Sequence, residues 1–285
     1  MYPREYHKPT TLEQAWELQA AIRGARYVGG GTDLMVKIRR GDLRPDALIS
    51  LRGIADLRGL DLDADPLRIG AMTTIAELES DPAVARRLPA LHQAARVLGS
   101  RQIRNVATIG GNLSNASPCA DTAPPLLALA ALVVIAGPDG ERELPVERVF
   151  RGPGGTCLEP RQLVREIRID PPAPGARGVF LKKGRVRMDL GLASVAAVVE
   201  LDGETCTRAR LAAGSVAPTP IRLRRVEQLV EGRRLTAELL AEARRLAFDE
   251  VAPITDIRAT EDYRRQIVGV YVERALARLL QEARS

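Results

Sequence analysis

Two glycine clusters set the strongest constraint on how this chain can fold. The first, Gly29-Gly30-Gly31-Thr32-Asp33, joins a strand-like run, Ala25–Val28, to a helix-like one, Leu34–Arg40. The second lies about eighty residues downstream, inside the stretch Gln102–Ala131, QIRNVATIGGNLSNASPCADTAPPLLALAA. There Val106–Ile109 reads as a strand and Gly110-Gly111 as the turn after it. Asn112 can bond its own backbone or a ligand, and Asp121 reads as the cap of an apolar helix beginning near Thr122. Strand, glycine turn and helix start together aim backbone N–H groups at an anion. A Cβ in such a turn would hold a phosphate away from the backbone. Neither cluster is specific alone, since glycine is the default turn residue and GxGxxG is absent. If the two turns meet in space, they cradle one diphosphate-bearing cofactor. Asp121 then has two readings, a plain helix cap or a carboxylate accepting from ribose hydroxyls, and its position in sequence does not choose between them.

The remaining chain reads as an α+β protein. Thr10–Gly24 carries a capped, amphipathic helix pattern. Pro45–Leu51 and Leu67–Ile69 are strands, Thr73-Thr74 introduce a short capped helix, and Pro82–Leu98 is helical with a break at Pro89. Val133–Ile135 and Leu163–Ile169 are strands, with a turn at Pro138-Asp139-Gly140. Pro171-Pro172-Ala173-Pro174-Gly175 is the clearest linker and divides the chain into residues 1–175 and 176–285. Beyond it come three strands, Val179–Lys182, Leu192–Leu201 and Arg208–Ser215. Three helices follow, Arg224–Val230, Thr236–Phe248 and Thr260–Glu282.

Composition removes several function classes. Basic residues exceed acidic ones by 42 to 36, but the excess is scattered, and aromatics are 3%, so a nucleic-acid platform is disfavoured. Three cysteines, Cys119, Cys157 and Cys206, show neither disulfide pairing nor zinc or iron–sulfur spacing. No apolar run is long enough to span a bilayer and the start MYPREYHKPTTLEQAW lacks a signal-peptide core, so the chain reads as cytoplasmic. His7 and His92 have no matched nucleophile, and GxSxG, HExxH and P-loop patterns are missing. No catalytic residue is assigned and no metal site is expected; if the protein is a redox protein, its cofactor supplies the chemistry.

Taken together, YVGGGTDL, ATIGGNLSNASPCADTAPPLLALA and FLKKGRVRMDLGLASVAAVVEL resemble the FAD-binding (medium) subunits of molybdenum hydroxylases, the carbon monoxide and xanthine dehydrogenase type. The resemblance covers almost the full length. It implies an N-terminal FAD-binding domain of the vanillyl-alcohol-oxidase (PCMH) type, built of two α/β subdomains. A C-terminal α+β domain with a three-stranded sheet and helices would follow. It further implies that Gly29, Gly30, Gly31, Thr32, Asp33 and Leu34 hold the diphosphate from one side. Thr108, Ile109, Gly110, Gly111 and Asn112 would hold it from the other, Asp121 would reach the ribose, and Lys182, with Lys183 as the alternative, would lie near the flavin. The implied role is electron transfer. A small subunit with two [2Fe–2S] clusters delivers electrons, a large molybdopterin subunit hydroxylates the substrate, and FAD here passes electrons to an external acceptor. The implied assembly is a dimer of heterotrimers, with no nucleic acid and no membrane span. The four-cysteine insertion of hydroxybenzoyl-CoA reductase flavin subunits is missing, which counts against that branch. Two other readings stand beside this one: a self-sufficient flavin oxidase, for which no candidate base is visible, and a scaffold that kept the fold and lost the cofactor.

Overall fold

A computed structural model describes residues 3–284; the outer ends of the two expected domains, residues 1–2 and 285, lie outside it. Three larger sheets organise the chain, beside a two-stranded ribbon of Phe150–Gly152 and Gly155–Thr156. The first is a small parallel sheet with Ala47–Ser50 between Glu5–His7 and Arg26–Val28. The helix Leu34–Arg40 makes the crossover that parallel pairing requires. Its central strand is buried at every position, which explains the unbroken apolar run ALI.

The second sheet has five antiparallel strands in the order Leu60–Asp61, Leu67–Gly70, Leu163–Ile169, Leu132–Gly137, Gly140–Pro145. Short helices cover it, each with a readable start. Thr74 and Glu77 form a reciprocal capping box for Ile75–Ser80, and Pro82 and Pro89 open the next two helices. The helix Ala123–Ala128 (APPLLA) is apolar all round and buried at every position.

The third sheet is built on Arg177–Lys183, Ala193–Asp202 and Thr205–Gly214, extended by the two-residue strands Ile221–Arg222 and Arg233–Arg234. Its period-2 alternation serves two cores at once. Val179, Val195, Ala197, Leu211 and Ala213 pack against the helices Arg224–Val230, Ala237–Glu250 and Glu261–Arg284. Phe180, Ala196 and Ala212 enter the core of the second sheet and its helices. The run ASVAAVV is nearly all apolar because both faces of this stretch of the central strand are covered.

The structure corrects two local readings. Val106–Ile109 is not a strand: it makes a turn and one isolated bridge, Thr74 with Thr108, and a helix Ile109–Asn115 begins at once. Three β-branched residues produced the strand pattern, but the Thr108 hydroxyl accepts the Gly111 N–H at 3.1 Å and starts the helix instead. Gly110 and Gly111 therefore lie in a first helical turn, not between elements. Asp121 is not a cap either. The following helix has Thr122 at its cap position with no side-chain bond, and the Thr122 hydroxyl donates to Asn112 Oδ1 at 2.6 Å.

Candidate functional site: a glycine-walled cleft

The two glycine clusters do meet. A Cβ on Gly30 would fall onto the carbonyl oxygen of Val106 and 2.8 Å from Ala107 Cα, and one on Gly29 would lie 3.0 Å from Thr108 Oγ1. The helices that follow are also tied, Lys37 Nζ donating to Asn115 Oδ1 at 2.8 Å. Arg52 Nε donates to the Gly29 carbonyl at 3.3 Å and steadies the first loop from the other side. Between the clusters opens a cleft of about 730 Å³, within the range of small-molecule and cofactor sites. It is lined by Gly29 to Leu34, by Thr108, Gly110, Gly111 and Asn112, and by Asp121 and Lys182 from farther along the chain. Ile109 is the exception: its side chain is fully buried in the core and faces away from the cleft. Of the two candidate lysines, Lys182 lines the cleft and Lys183 does not.

The two loops contribute differently. Among the described residues, the backbone N–H groups of Gly30, Gly31, Thr32, Asp33 and Leu34 donate to nothing in the chain, although Gly31 and Asp33 carbonyls accept from Met35 and Lys37. Gly31 holds a φ of +77°, which lets the row curve. Five consecutive free donors ahead of a helix make an anion nest. In the second motif the corresponding groups are occupied. Ile109 donates to Thr73 O, Gly110 to Ala71 O, Gly111 to Thr108 Oγ1 and Asn112 to Thr108 O. Gly110 is glycine because a Cβ there would sit 2.8 Å from the Ala71 carbonyl oxygen. Backbone donors are thus concentrated in the first loop: in the second motif the N–H groups of Ile109 to Asn112 are used within the chain, that of Thr108 is not among the described residues, and Gly110 and Gly111 leave that wall without side-chain bulk where they stand.

At another part of the cleft, Lys182 Nζ lies 2.6 Å from Asp121 Oδ2 and 3.3 Å from the Val97 carbonyl. Both side chains are over nine-tenths buried, at 6% and 8% exposure. Burial pushes the Asp121 carboxyl up to about 6 against the pull of the Lys182 ammonium. Because the folded value exceeds the unfolded one of 3.8, this group's stabilising contribution is complete at low pH and is lost as pH rises through about 6. The stability of the cofactor-free protein therefore falls as pH rises from 4 to 7. Asp121→Asn is expected to remove that slope from denaturation free energies measured across the range; an unchanged slope would assign it to other groups.

Sequence reasoning missed Tyr27, Gln162, Leu163, Val164 and the turn Met188–Leu190, all of which line the cleft. Tyr27 adjoins the glycines, but its neighbour Arg161, whose carbonyl accepts the Tyr27 hydroxyl at 3.4 Å, is distant in sequence. Burial pushes the Tyr27 phenol up to about 12, with Arg161 pulling the other way. His7 pairs with Glu5, and His92 meets the Glu79 carbonyl at 2.9 Å; neither lines the cleft. Cys119 does line it, whereas Cys206 is buried with its thiol pushed up to about 11. Among the described residues no cluster of metal-ligating side chains occurs and no helix is long and apolar enough to cross a membrane. What the arrangement can do is hold a long ligand, with an anionic segment on the nest and a polar segment at the Asp121–Lys182 pair. An FAD molecule fits that donor set.

Comparison with known proteins agrees. Residues 2–172 match the family model of the FAD binding domain in molybdopterin dehydrogenase, and residues 179–279 match that of the CO dehydrogenase flavoprotein C-terminal domain. The chain is 34% identical to the putative xanthine dehydrogenase FAD-binding subunit of Escherichia coli, over 98% of this chain and 96% of that one. It is 33% identical to the carbon monoxide dehydrogenase medium chain of Hydrogenophaga pseudoflava, over 95% of each. Among solved structures, carbon monoxide dehydrogenase from Hydrogenophaga pseudoflava superposes with a TM-score of 0.94 at 32% identity, covering 99% of both chains. Quinoline 2-oxidoreductase from Pseudomonas putida superposes equally well, at 0.94 and 26% identity over the whole of both chains.

Proposed function

The chain belongs to the FAD-binding subunit family of the molybdopterin dehydrogenases, and from that premise we propose that it is the flavin-bearing electron-transfer subunit of a molybdenum-containing hydroxylase or dehydrogenase. Electrons arrive from the [2Fe–2S] clusters of a small partner subunit, and a large molybdopterin subunit oxidises the substrate. The chain works in the cytoplasm within a dimer of such heterotrimers. Residues 1–175 form its FAD-binding domain and residues 176–285 its C-terminal flavoprotein domain. Relatives named medium chain and FAD-binding subunit support the existence of partner chains.

The observation that carries the flavin assignment is the row of free N–H donors, Gly30 to Leu34, on a cleft shared with the second glycine motif, Asp121 and Lys182. In this reading Gly29, Gly30, Gly31, Thr32, Asp33 and Leu34 bind the diphosphate, and each charge-assisted N–H bond contributes about 1.5–3 kcal/mol. Thr108, Gly110, Gly111 and Asn112 form the close wall opposite, while Ile109 anchors that wall from the core. Asp121 accepts from a sugar or ribityl hydroxyl, and Lys182 stands beside the flavin with its charge held in place by that carboxylate. Bound FAD supplies the electron chemistry; the protein's residues bind it and orient it.

The test is the visible spectrum of the purified chain after incubation with FAD, alone and with the small and large subunits. Flavin absorbance that stays with the chain through gel filtration is expected. A chain that stays colourless even with both partners present overturns the assignment. A yellow chain that oxidises a small molecule unaided would move it to a self-sufficient flavin oxidase.

A further inference from the structure

Arg264, in the first turn of the helix Glu261–Arg284, is only 2% exposed, yet no part of the flavin reading uses it. Its guanidinium joins three separate segments. Nη1 donates to the Leu192 carbonyl at 2.7 Å and to the Ser215 carbonyl at 3.2 Å, and Nη2 donates to Asp256 Oδ1 at 2.8 Å. Asp256 Oδ2 in turn takes Arg258, Nη2 at 2.6 Å and Nε at 3.0 Å. Burial disfavours ionisation of Asp256, but these hydrogen bonds win and hold its carboxyl well below the usual range.

The residues whose carbonyls Arg264 grips adjoin the buried pair of the cleft, one directly and the other through its neighbour Gly191. A Cβ on Gly191 would sit 3.2 Å from Ser215 Oγ, 3.7 Å from Lys182 Cε and 3.9 Å from Asp121 Oδ1. Ser215 donates its N–H to the Pro118 carbonyl at 2.7 Å, three residues before Asp121. It also holds a φ of +66°, a conformation that a non-glycine residue keeps only when its surroundings impose it. Leu192 donates back to Lys183 O at 2.6 Å. Arg264 therefore braces, through backbone, the strand end that carries Lys182 and the loop that carries Asp121.

We propose that Arg264 is a positioning residue for the flavin site, clamping the backbones at Leu192 and Ser215 so that Lys182 and Asp121 meet the cofactor in one arrangement. The proposal rests on the FAD assignment above. An apolar side chain would fill the same space without the cost of burying a charge, so packing alone does not account for arginine here. What arginine adds is a rigid planar fork that satisfies acceptors on three segments at once, which lysine cannot reproduce.

The test uses the full chain with Arg264→Lys and Arg264→Met. FAD dissociation constants, the visible circular dichroism and reduction potential of bound flavin, and the melting temperature of the cofactor-free protein would be measured. Arg264→Lys is expected to stay folded but to bind FAD about tenfold more weakly, the effect of losing one charge-assisted hydrogen bond's worth of order, with altered dichroism and a shifted potential. Arg264→Met is expected to lose more. If that variant does not fold, Asp256→Asn carries the argument, since it removes the counter-charge and leaves both carbonyl contacts possible; a smaller change of the same sign is expected. Parent-like affinity, dichroism and potential in Arg264→Lys and Asp256→Asn would overturn the positioning role. Failure of the unsubstituted chain to take up FAD would instead remove the assignment on which the role depends.

Discussion

Gly30→Val is expected to leave the protein colourless. A side chain at this position is driven into the Val106 carbonyl and against Ala107 Cα, both backbone atoms, so no rotamer relieves the overlap. The loop has to retreat, and the nest of N–H groups from Gly30 to Leu34 retreats with it. Losing two of its charge-assisted bonds weakens FAD binding by 100-fold or more, at roughly 1.5–3 kcal/mol each. The companion variant is Gly41→Asn, at the far end of the helix that follows the loop. Gly41 holds a φ of +81° with open space around its Cβ position, and asparagine tolerates that conformation. Fluorescence titration with FAD is expected to separate the two, Gly41→Asn binding like the parent. Parent-like binding by Gly30→Val would mean that the contact between the glycine clusters does not shape the cofactor site.

Lys182→Met is expected to destabilise the cofactor-free protein by about 3–5 kcal/mol at neutral pH, the usual cost of removing one partner from a buried ion pair. Asp121 would then be a buried carboxylate without its ammonium, and its carboxyl would move above the value of about 6 it has with Lys182 present. A carboxyl raised in the folded state stabilises the fold below its unfolded value and ceases to do so as pH climbs through the folded one. The deficit of Lys182→Met is therefore largest at pH 7 and shrinks toward pH 4. Combining it with Asp121→Asn is expected to recover part of the loss, because the amide carries no charge to strand. Urea denaturation at several pH values checks both statements, with Lys183→Met, one residue on and outside the cleft, as the near-neutral comparison. A pH-independent deficit would show that Lys182 acts through packing and not through charge.

Much of the fold was legible because its signals are local. Thr10 or Thr11, Thr74 with Glu77, Pro82 and Pro89 announce helix starts within a few residues, and the structure starts a helix at each, with Thr11 the cap of the first. The first glycine loop was legible for the same reason, with strand, turn and helix in unbroken succession. What was hidden depends on partners far away in the chain. Asp121 looked like a cap because a carboxylate before an apolar helix usually is one, and its actual partner lies 61 residues on. Val106–Ile109 carried β-branched residues, yet the contact of Gly110 with Ala71 and the bond from the Gly111 N–H to the Thr108 hydroxyl draw it into a turn and a helix. The strand Gly140–Pro145 (GERELP) was missed because nearly all of it is exposed and charged, leaving no hydrophobic period to read. The order of the cleft's walls was visible in the motifs; the division of labour between them was not, since it turns on which N–H groups the chain has already used.

The cleft draws residues from the first sheet, from the helices over the second and from the edge strand of the third. Any molecule that fills it touches all three and binds only when they stand together, so its binding energy adds to the cohesion of the whole chain. At a free concentration one hundred times its dissociation constant, such a ligand contributes about 2.7 kcal/mol. Melting temperature thereby becomes a gauge of cofactor supply. The cofactor-free chain is then expected to melt lower and to be digested more readily than the loaded one.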